Sequence, residues 1–315
     1  MSERSPAIAV TEITKHFPGL VAVNHLSFTV DAGEIFGLVG PDGAGKTTTL
    51  RMLAGVLVPD EGSATVAGCE IVRDPESAKN HISYMPQRFG LYEDLTVDEN
   101  IRFYADLFGV SRAKREEREA RLLAVAGLRE FRHRLAGKLS GGMKQKLGLV
   151  CALIHTPKVL LLDEPTTGVD PVSRREFWRI LYDLAAEGVA ILTSTAYLDE
   201  AERCHRVALL HRGRLLFCDA PAQLKARLPG AVVAITSREP RRLPEALKGV
   251  QGVSSLVLVG DGVHLVVDDA ERRIPDLQAR LAAAGLPCDE IVPVTPTIED
   301  LFVSAVQEVE DRRRP

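Results

Sequence analysis

Nothing in this sequence is long and apolar enough to cross a membrane. The longest apolar run, LGLVCALI at 147–154, falls well short of the ~18–20 residues a span needs. Charges precede it and a proline follows soon after. Cysteine is scarce: five, at 69, 151, 204, 218 and 288, an odd number with no CxxC pair. That pattern argues against a disulfide framework or a thiolate metal site and fits a reducing compartment. Positive charge is not in excess, the formal net charge being −4. Neutralising nucleic-acid phosphates takes a cationic face, so nucleic acid is not expected as a partner. The opening MSERSPAIAVTEITKHF lacks the basic and apolar regions of a secretory signal. A chain with these absences that works at a membrane is expected to do so through something other than a span of its own.

What is present is ordinary globular material: 315 residues, 45% hydrophobic and 26% charged, enough for one large or two modest domains. GEIFGLVG (33–40), HISYMPQ (81–87), KVLLLD (158–163) and VAILTST read as strands or strand ends, several apolar enough to be buried on both faces. Between them lie helical patterns. One covers 46–57. Another, at 96–109, has a Thr cap and a terminal Gly109. A third has a charged face, SRAKREEREARLLAVAGL, and is expected to be solvated. SGGMKQKLGLVCALIHT and PVSRREFWRILYDLAAEG complete the set. Alternation of strand and helix predicts an α/β fold with a largely parallel sheet. From about 229 the pattern changes to strand, helix (242–249), strand (253–259), a GDG turn, strand (263–268), helix (274–285) and strand (289–294). That βαββαβ order predicts a small α+β, ferredoxin-like domain over 229–315, after a first domain at 1–228. TIEDLFVSAVQEV should pack back as a helix. The arginines of the tail EDRRRP raise contact with anionic lipid, which the neighbouring acids oppose.

GPDGAGKTT, at 40–48, fits the phosphate-loop pattern G-x-x-x-x-G-K-[ST] in the required strand–loop–helix context. Glycine backbone lets successive N–H groups converge, and the helix N-terminus adds partial positive charge. Gly40, Asp42, Gly43, Ala44, Gly45, Lys46, Thr47 and Thr48 are therefore candidate phosphate-binding residues. Lys46 reaches the β- and γ-phosphates, and Thr47 is a candidate Mg²⁺ ligand. VLLLDEP adds Asp163 at a strand end, placed to hold the magnesium through water, and Glu164, placed to polarise an attacking water. LSGGMKQ (139–145) starts a helix with a serine and two glycines, a second anion-binding site that one nucleotide on one chain does not need.

The three motifs together resemble the ATP-binding cassette (ABC) family of ATPases. Met143 stands where the family signature LSGGQ has glutamine, and Asp42 stands where its phosphate loop commonly has asparagine. The resemblance implies a RecA-like core, an antiparallel β subdomain and a helical subdomain. It also implies head-to-tail pairing with a second cassette, as homodimer or heterodimer. Ser140, Gly141, Gly142 and Asp170 of one cassette would then meet nucleotide held by the other. By the same resemblance Phe17 stacks on adenine, and Gln87 touches Mg²⁺ and senses the γ-phosphate. The segment near Arg88–Asn100 would grip a cytoplasmic helix of separate membrane subunits. The chain would then sit peripherally on the cytoplasmic face of the plasma membrane. The overall pattern, with PTIEDLFV near its end, resembles one ATPase half of bacterial tandem-cassette ABC-2-type exporters. Such resemblance suggests drugs, lipids or polysaccharide precursors as cargo.

One family residue is missing. The string that normally reads STHYMDEAE reads STAYLDEAE, so Ala196 replaces the switch histidine. Loss of one positioning contact commonly costs ~10²–10³ in rate, and alanine offers no hydrogen-bonding side chain. Thr195, Tyr197 and His205 are the neighbours that could substitute, His205 from further down a helix. Glu164, the acid that inactive cassettes often lose, is retained. The expectation is a slow site on this chain and an intact signature that completes a partner's site. The alternatives are a nucleotide-binding regulator without turnover and, with less support, a soluble non-transport ABC ATPase.

Overall fold

The computed structural model describes residues 5–311; the tail arginines 312–314 lie outside them. In chain order the first part runs β1 (Ile8–Phe17), β2 (Leu20–Val30), β3 (Ile35–Val39), α1 (Lys46–Leu53), β4 (Glu61–Val66), β5 (Cys69–Glu70) and α2 (Pro75–Lys79). It continues β6 (Ile82–Met85), α3 (Val97–Leu107), α4 (Arg112–Val125), α5 (Gly141–Leu153), β7 (Val159–Asp163) and α6 (Pro171–Ala186). It closes with β8 (Ala190–Thr195), α7 (Leu198–Ala201), β9 (Arg206–His211) and β10 (Arg214–Asp219). Then come α8 (Pro221–Lys225), β11 (Ala231–Thr236), α9 (Leu243–Leu247), β12 (Val253–Val259), β13 (Gly262–Val267), α10 (Ala270–Ala283), β14 (Glu290–Val294) and α11 (Ile298–Asp311). By contacts these form two units, Met1–Cys218 and Asp219–Pro315.

The strands of the first unit sort into two sheets. One has the order β2-β1-β4-β5, with all its pairs antiparallel. The other has the order β10-β9-β3-β8-β7-β6, in which β9, β3, β8, β7 and β6 pair in parallel. Every residue of β3, β7 and β8 is buried, as expected of parallel strands covered on both faces. The parallel order has a chemical consequence. The residues that follow β3, β8, β7 and β6 all emerge at one edge, in adjacent columns, where ligands of open α/β sheets bind. These are the phosphate loop, the Ala196 segment, the Glu164 turn and Gln87.

The helices follow their local chemistry. Thr96 caps α3 in a full capping box with Glu99: Thr96 Oγ1 accepts from Glu99 N–H at 3.2 Å, and Glu99 Oε2 accepts from Thr96 N–H at 2.8 Å. α4 buries only Leu122 and Leu123, which is the solvated charged face its sequence predicts. Ser140 caps α5, and Asp170 caps α6 ahead of Pro171.

In the second unit the sheet order is β12-β13-β11-β14, antiparallel throughout. This is the ferredoxin-like βαββαβ arrangement. Val233, Ile235, Val263, Leu265 and Val267 face Leu243, Leu247, Leu277 and Leu281 of α9 and α10 in one apolar core. α10 starts at Ala270, before the position expected from sequence. Asp269 accepts from Arg272 N–H at 3.0 Å there, and Pro275 is carried inside the helix. α11 packs on β12 and β13.

Candidate functional site

The loop between β3 and α1 closes on its own lysine. Lys46 is 4% exposed, and its Nζ donates to the carbonyls of Gly40 at 2.7 Å and Pro41 at 3.1 Å. It also lies 3.2 Å from Glu164 Oε1. Gly45 caps α1 at φ 101°, and a Cβ there would sit 2.5 Å from the Ala22 carbonyl oxygen. The glycine is thus required both by conformation and by space. Phe17, Leu20, Ala22, Asp42 and Gly43 to Thr48 line an open cleft here, joined by Gln87 and Glu164.

At the ends of β7 and β8 the polar groups bind one another. Asp163, 1% exposed, accepts from Thr47 Oγ1 at 2.9 Å, Ser194 Oγ at 2.8 Å and Tyr84 OH at 3.2 Å. Burial, reinforced by the Asp163 charge, pushes the Tyr84 phenol up to about 12, so it stays a donor. Glu164 adopts φ +48°, a conformation uncommon for a residue with a side chain. Three hydrogen bonds hold it there, beside the Lys46 contact. Its N–H donates to Ser194 Oγ at 3.0 Å, and its Oε2 accepts from Gln87 Nε2 at 3.2 Å and from Thr167 Oγ1 at 3.4 Å. Tyr84 and Ser194 were not singled out from sequence. The run of three hydroxyl residues ending β8 was the available signal for Ser194.

Thr47 and Asp163 present only oxygen atoms, and Gln87 adds an amide, all on the loop's side of the sheet. Hard oxygen donors of this kind suit a magnesium ion. No cluster of three or more His, Cys, Asp or Glu able to hold a metal occurs among the described residues.

Ser140, Gly141, Gly142 and Asp170 do not line this cleft. They gather instead where α5 and α6 begin. A Cβ on Gly142 would lie 2.5 Å from Ser173, and Ser140 Oγ accepts from Met143 N–H at 3.3 Å. Asp170 Oδ1 accepts from Ser173 N–H at 3.0 Å and Val172 N–H at 3.1 Å. These bonds, the Ser173 amide foremost, hold its carboxyl below the usual range.

Ala196 is exposed, just after β8. Two of its three candidate substitutes, Thr195 and His205, are hydrogen-bonded elsewhere, while Tyr197 is 37% exposed. Thr195 Oγ1 donates to Glu200 at 2.8 Å. Arg174 Cζ lies 4.6 Å from the Tyr197 ring centroid. His205 Nδ1 accepts from Ile35 N–H at 2.9 Å. The expectation that His205 lies down a helix is corrected: α7 stops at Ala201, and His205 leads into β9.

The family model described as ABC transporter matches residues 23–167. The Nod factor export ATP-binding protein I of Rhizobium sp. (strain N33) is 37% identical over 299 residues, covering 94% of this chain and 96% of the relative. This chain belongs to the ABC transporter ATP-binding family. A probable multidrug ABC transporter ATP-binding protein, YbhF of Escherichia coli (strain K12), is 49% identical over 301 residues. That match takes in 94% of this chain but only 51% of YbhF, so the chain spans about half the length of that relative. The daunorubicin/doxorubicin resistance ATP-binding protein DrrA of Streptomyces peucetius is 38% identical over 241 residues, 76% of this chain and 73% of DrrA. A solved ATP-binding subunit of an ABC transporter superposes with a TM-score of 0.64 at 31% identity, over 70% of this chain and 92% of that one. Membership implies nucleotide binding by the cassette. Among the described residues no helix is long and apolar enough to cross a membrane.

Proposed function

We propose that this chain is the ATP-binding and ATP-hydrolysing subunit of an ABC-2-type exporter, with slow turnover at its own phosphate loop. The observation that carries the reading is the convergence of Lys46, Thr47, Gln87 and Glu164 on one cleft, with the buried Asp163 hydrogen-bonded to Thr47. Thr47, Asp163 and Gln87 would hold Mg²⁺, which neutralises phosphate charge when bound. Phe17, 43% exposed at the cleft, offers its ring to adenine. Lys46 exchanges its Glu164 contact for phosphate oxygen, and the released carboxylate is then placed to accept a proton from an attacking water. A triphosphate supplies the stronger anionic partner for a buried ammonium.

Ala196 leaves the γ-phosphate side one donor short. A positioning donor acts mostly on the transition state, so its loss lowers turnover more than binding. Ser140, Gly141, Gly142 and Asp170 would complete the site of a second cassette, a copy of this chain or a different one. The segment Arg88–Asn100 would meet the membrane subunits, holding the chain on the cytoplasmic face. An aromatic group supports that contact: Tyr92 and Phe103 stack edge-on at 4.6 Å between centroids and are 47% and 39% exposed. Relatives named for multidrug transport, Nod factor export and daunorubicin/doxorubicin resistance favour a drug or similar small molecule as cargo.

The test is steady-state MgATP hydrolysis by the chain, by Ala196→His and by Ala196→His with Glu164→Gln. Wild type near background, a gain of ~10²-fold in Ala196→His and loss of that gain in the double variant are expected. Fast wild-type turnover that Glu164→Gln stops would overturn the reading of Ala196. A second reading, a nucleotide-binding regulator, is favoured if Ala196→His binds ATP and stays inactive.

A further inference from the structure

Glu200 is 1% exposed, on a four-residue helix outside the phosphate loop. A buried carboxylate persists only where its oxygens are well supplied with donors, and these donors come from three separate places. Thr166 Oγ1 donates to Oε1 at 2.6 Å, from the turn that begins with Glu164. Thr195 Oγ1 donates to Oε2 at 2.8 Å, from the residue before Ala196. Trp178 Nε1 donates to Oε1 at 3.3 Å, from the middle of α6. Arg174, one turn earlier on α6, brings its Nε to 3.6 Å from the same Oε1, and that buried N–H makes no hydrogen bond.

We propose that Glu200 is a positioning residue that couples α6 to the Glu164 turn and the Ala196 segment. The proposal rests on the nucleotide-site reading above. α6 is capped by Asp170, and its Ser173 lies against Gly142 of the signature helix α5. Movement at that end reaches Arg174 and Trp178 directly. Because Oε1 is shared by Thr166, Trp178 and the approaching Arg174, a shift of α6 toward Glu200 completes the Arg174 bond and redistributes the others. Thr166 then transmits the change to the turn that holds Glu164 in its uncommon φ. A shared carboxylate of this kind links its donors more strongly than pairwise contacts do. Arg174 also pins Tyr197, through the ring contact at 4.6 Å, and Asp199, at 3.8 Å. The segment carrying Ala196 is therefore held from α6 although the histidine is absent.

The chain carries its own reporter, because Trp178 is its single tryptophan. The experiment measures Trp emission against ATP concentration for wild type, Glu200→Gln and Thr166→Val, with binding followed separately by equilibrium dialysis of labelled ATP. Thr166→Val cuts one arm and leaves Glu200 its other donors, so it serves if Glu200→Gln folds poorly. Expected are a wild-type emission change that saturates with binding, and variants that bind ATP within threefold of wild type with less than half the response. In the Ala196→His background, Thr166→Val should lower kcat at least tenfold with KM within threefold. Full emission response in both variants, or a wild-type tryptophan silent at saturating ATP, overturns the coupling and leaves nucleotide binding standing. Absence of ATP binding by dialysis overturns the nucleotide reading itself, and the coupling with it.

Discussion

The two units bury polar groups for different ends. In the first, Lys46, Asp163, Ser194, Thr195 and Glu200 are all buried near the C-terminal ends of parallel strands. Several of their bonds join different elements: Asp163 accepts from Ser194 and Thr47, and Glu200 accepts from Thr166 and Trp178. In the second, two buried polar groups serve a clamp and a cap. Arg273 grips Asp268 through two bonds of 2.7 and 2.8 Å, and Asp300 accepts from Thr297 at the start of α11. The strands of the second unit run antiparallel, so no single edge collects the residues that follow them. A parallel sheet gathers its strand ends at one place. That difference in topology fits the gathering of the candidate site residues in the first unit.

If this contrast is right, polar substitutions in the first unit should cost activity before stability. The largest effect is expected for Lys46→Ala in the Ala196→His background, a loss of ~10²–10³ in turnover, as for other charge-stabilising donors. Its melting temperature should stay within a few degrees, since the lysine's partners are mainly loop carbonyls. Unfolding of the variant, followed by circular dichroism, would break the contrast from the side of the first unit.

The converse concerns the second unit. Leu277 is fully buried between α10 and the sheet. Leu277→Ala should cost about 2–5 kcal/mol of stability through lost transfer energy and the cavity left behind. Labelled-ATP affinity should not change. A drop in affinity with an unchanged denaturation midpoint would reverse the roles assigned to the two units.

How far the sequence alone leads also differs between them. In the second unit local patterns suffice: alternating apolar residues, the GDG turn and the amphipathic helices locate β11 to β14 and α9 to α11. The phosphate loop and the Asp163–Glu164 pair are equally legible, because their spacing is local. The β2-β1-β4-β5 sheet is much less so. Register shifts interrupt β1, and Glu12 and His25 sit at positive φ, which blurs the strict alternation that marks a strand. The Glu200 network is illegible for another reason. Thr166, Trp178, Thr195 and Glu200 meet only after β7, α6, β8 and α7 have packed, and no spacing announces it. His205 misled for the same reason, since a short acidic run suggested a longer helix than α7.

A smaller effect is expected at Asp300, which has no exposed surface. Its carboxylate accepts from Thr297 N–H and Oγ1, both at 2.8 Å, and lies 3.1 Å from His264 Nδ1 on β13. Asp300→Ala removes one half of a capping box and should cost about 1–2 kcal/mol. Thermal melting of the chain would register it. A Thr297→Ala variant should lose a comparable amount, and the two losses should add poorly because they share one cap. Full additivity would show that Asp300 acts through His264 instead of the cap.

The smallest effect concerns a half-buried titratable group of the first unit that does not line the nucleotide cleft. His155 stacks on Phe108 at 3.9 Å between centroids, and its Nε2 lies 3.1 Å from the Ile82 carbonyl oxygen. Burial lowers its pKa below the ordinary histidine value, outweighing the Ile82 contact. The unfolded chain therefore binds a proton more readily than the folded one. The stability this neutral ring contributes is fully present above about pH 6.5, the unfolded value, and is lost as pH falls toward the lower folded value. His155→Phe keeps the stacking and removes the titration, so its melting temperature should decline less steeply than wild type between about pH 7 and 5. Equal slopes would mean that the acid-side loss arises at other groups. A flatter slope with unchanged nucleotide affinity would sharpen the contrast. It would separate, inside the first unit, polar burial that serves packing from polar burial that serves the site.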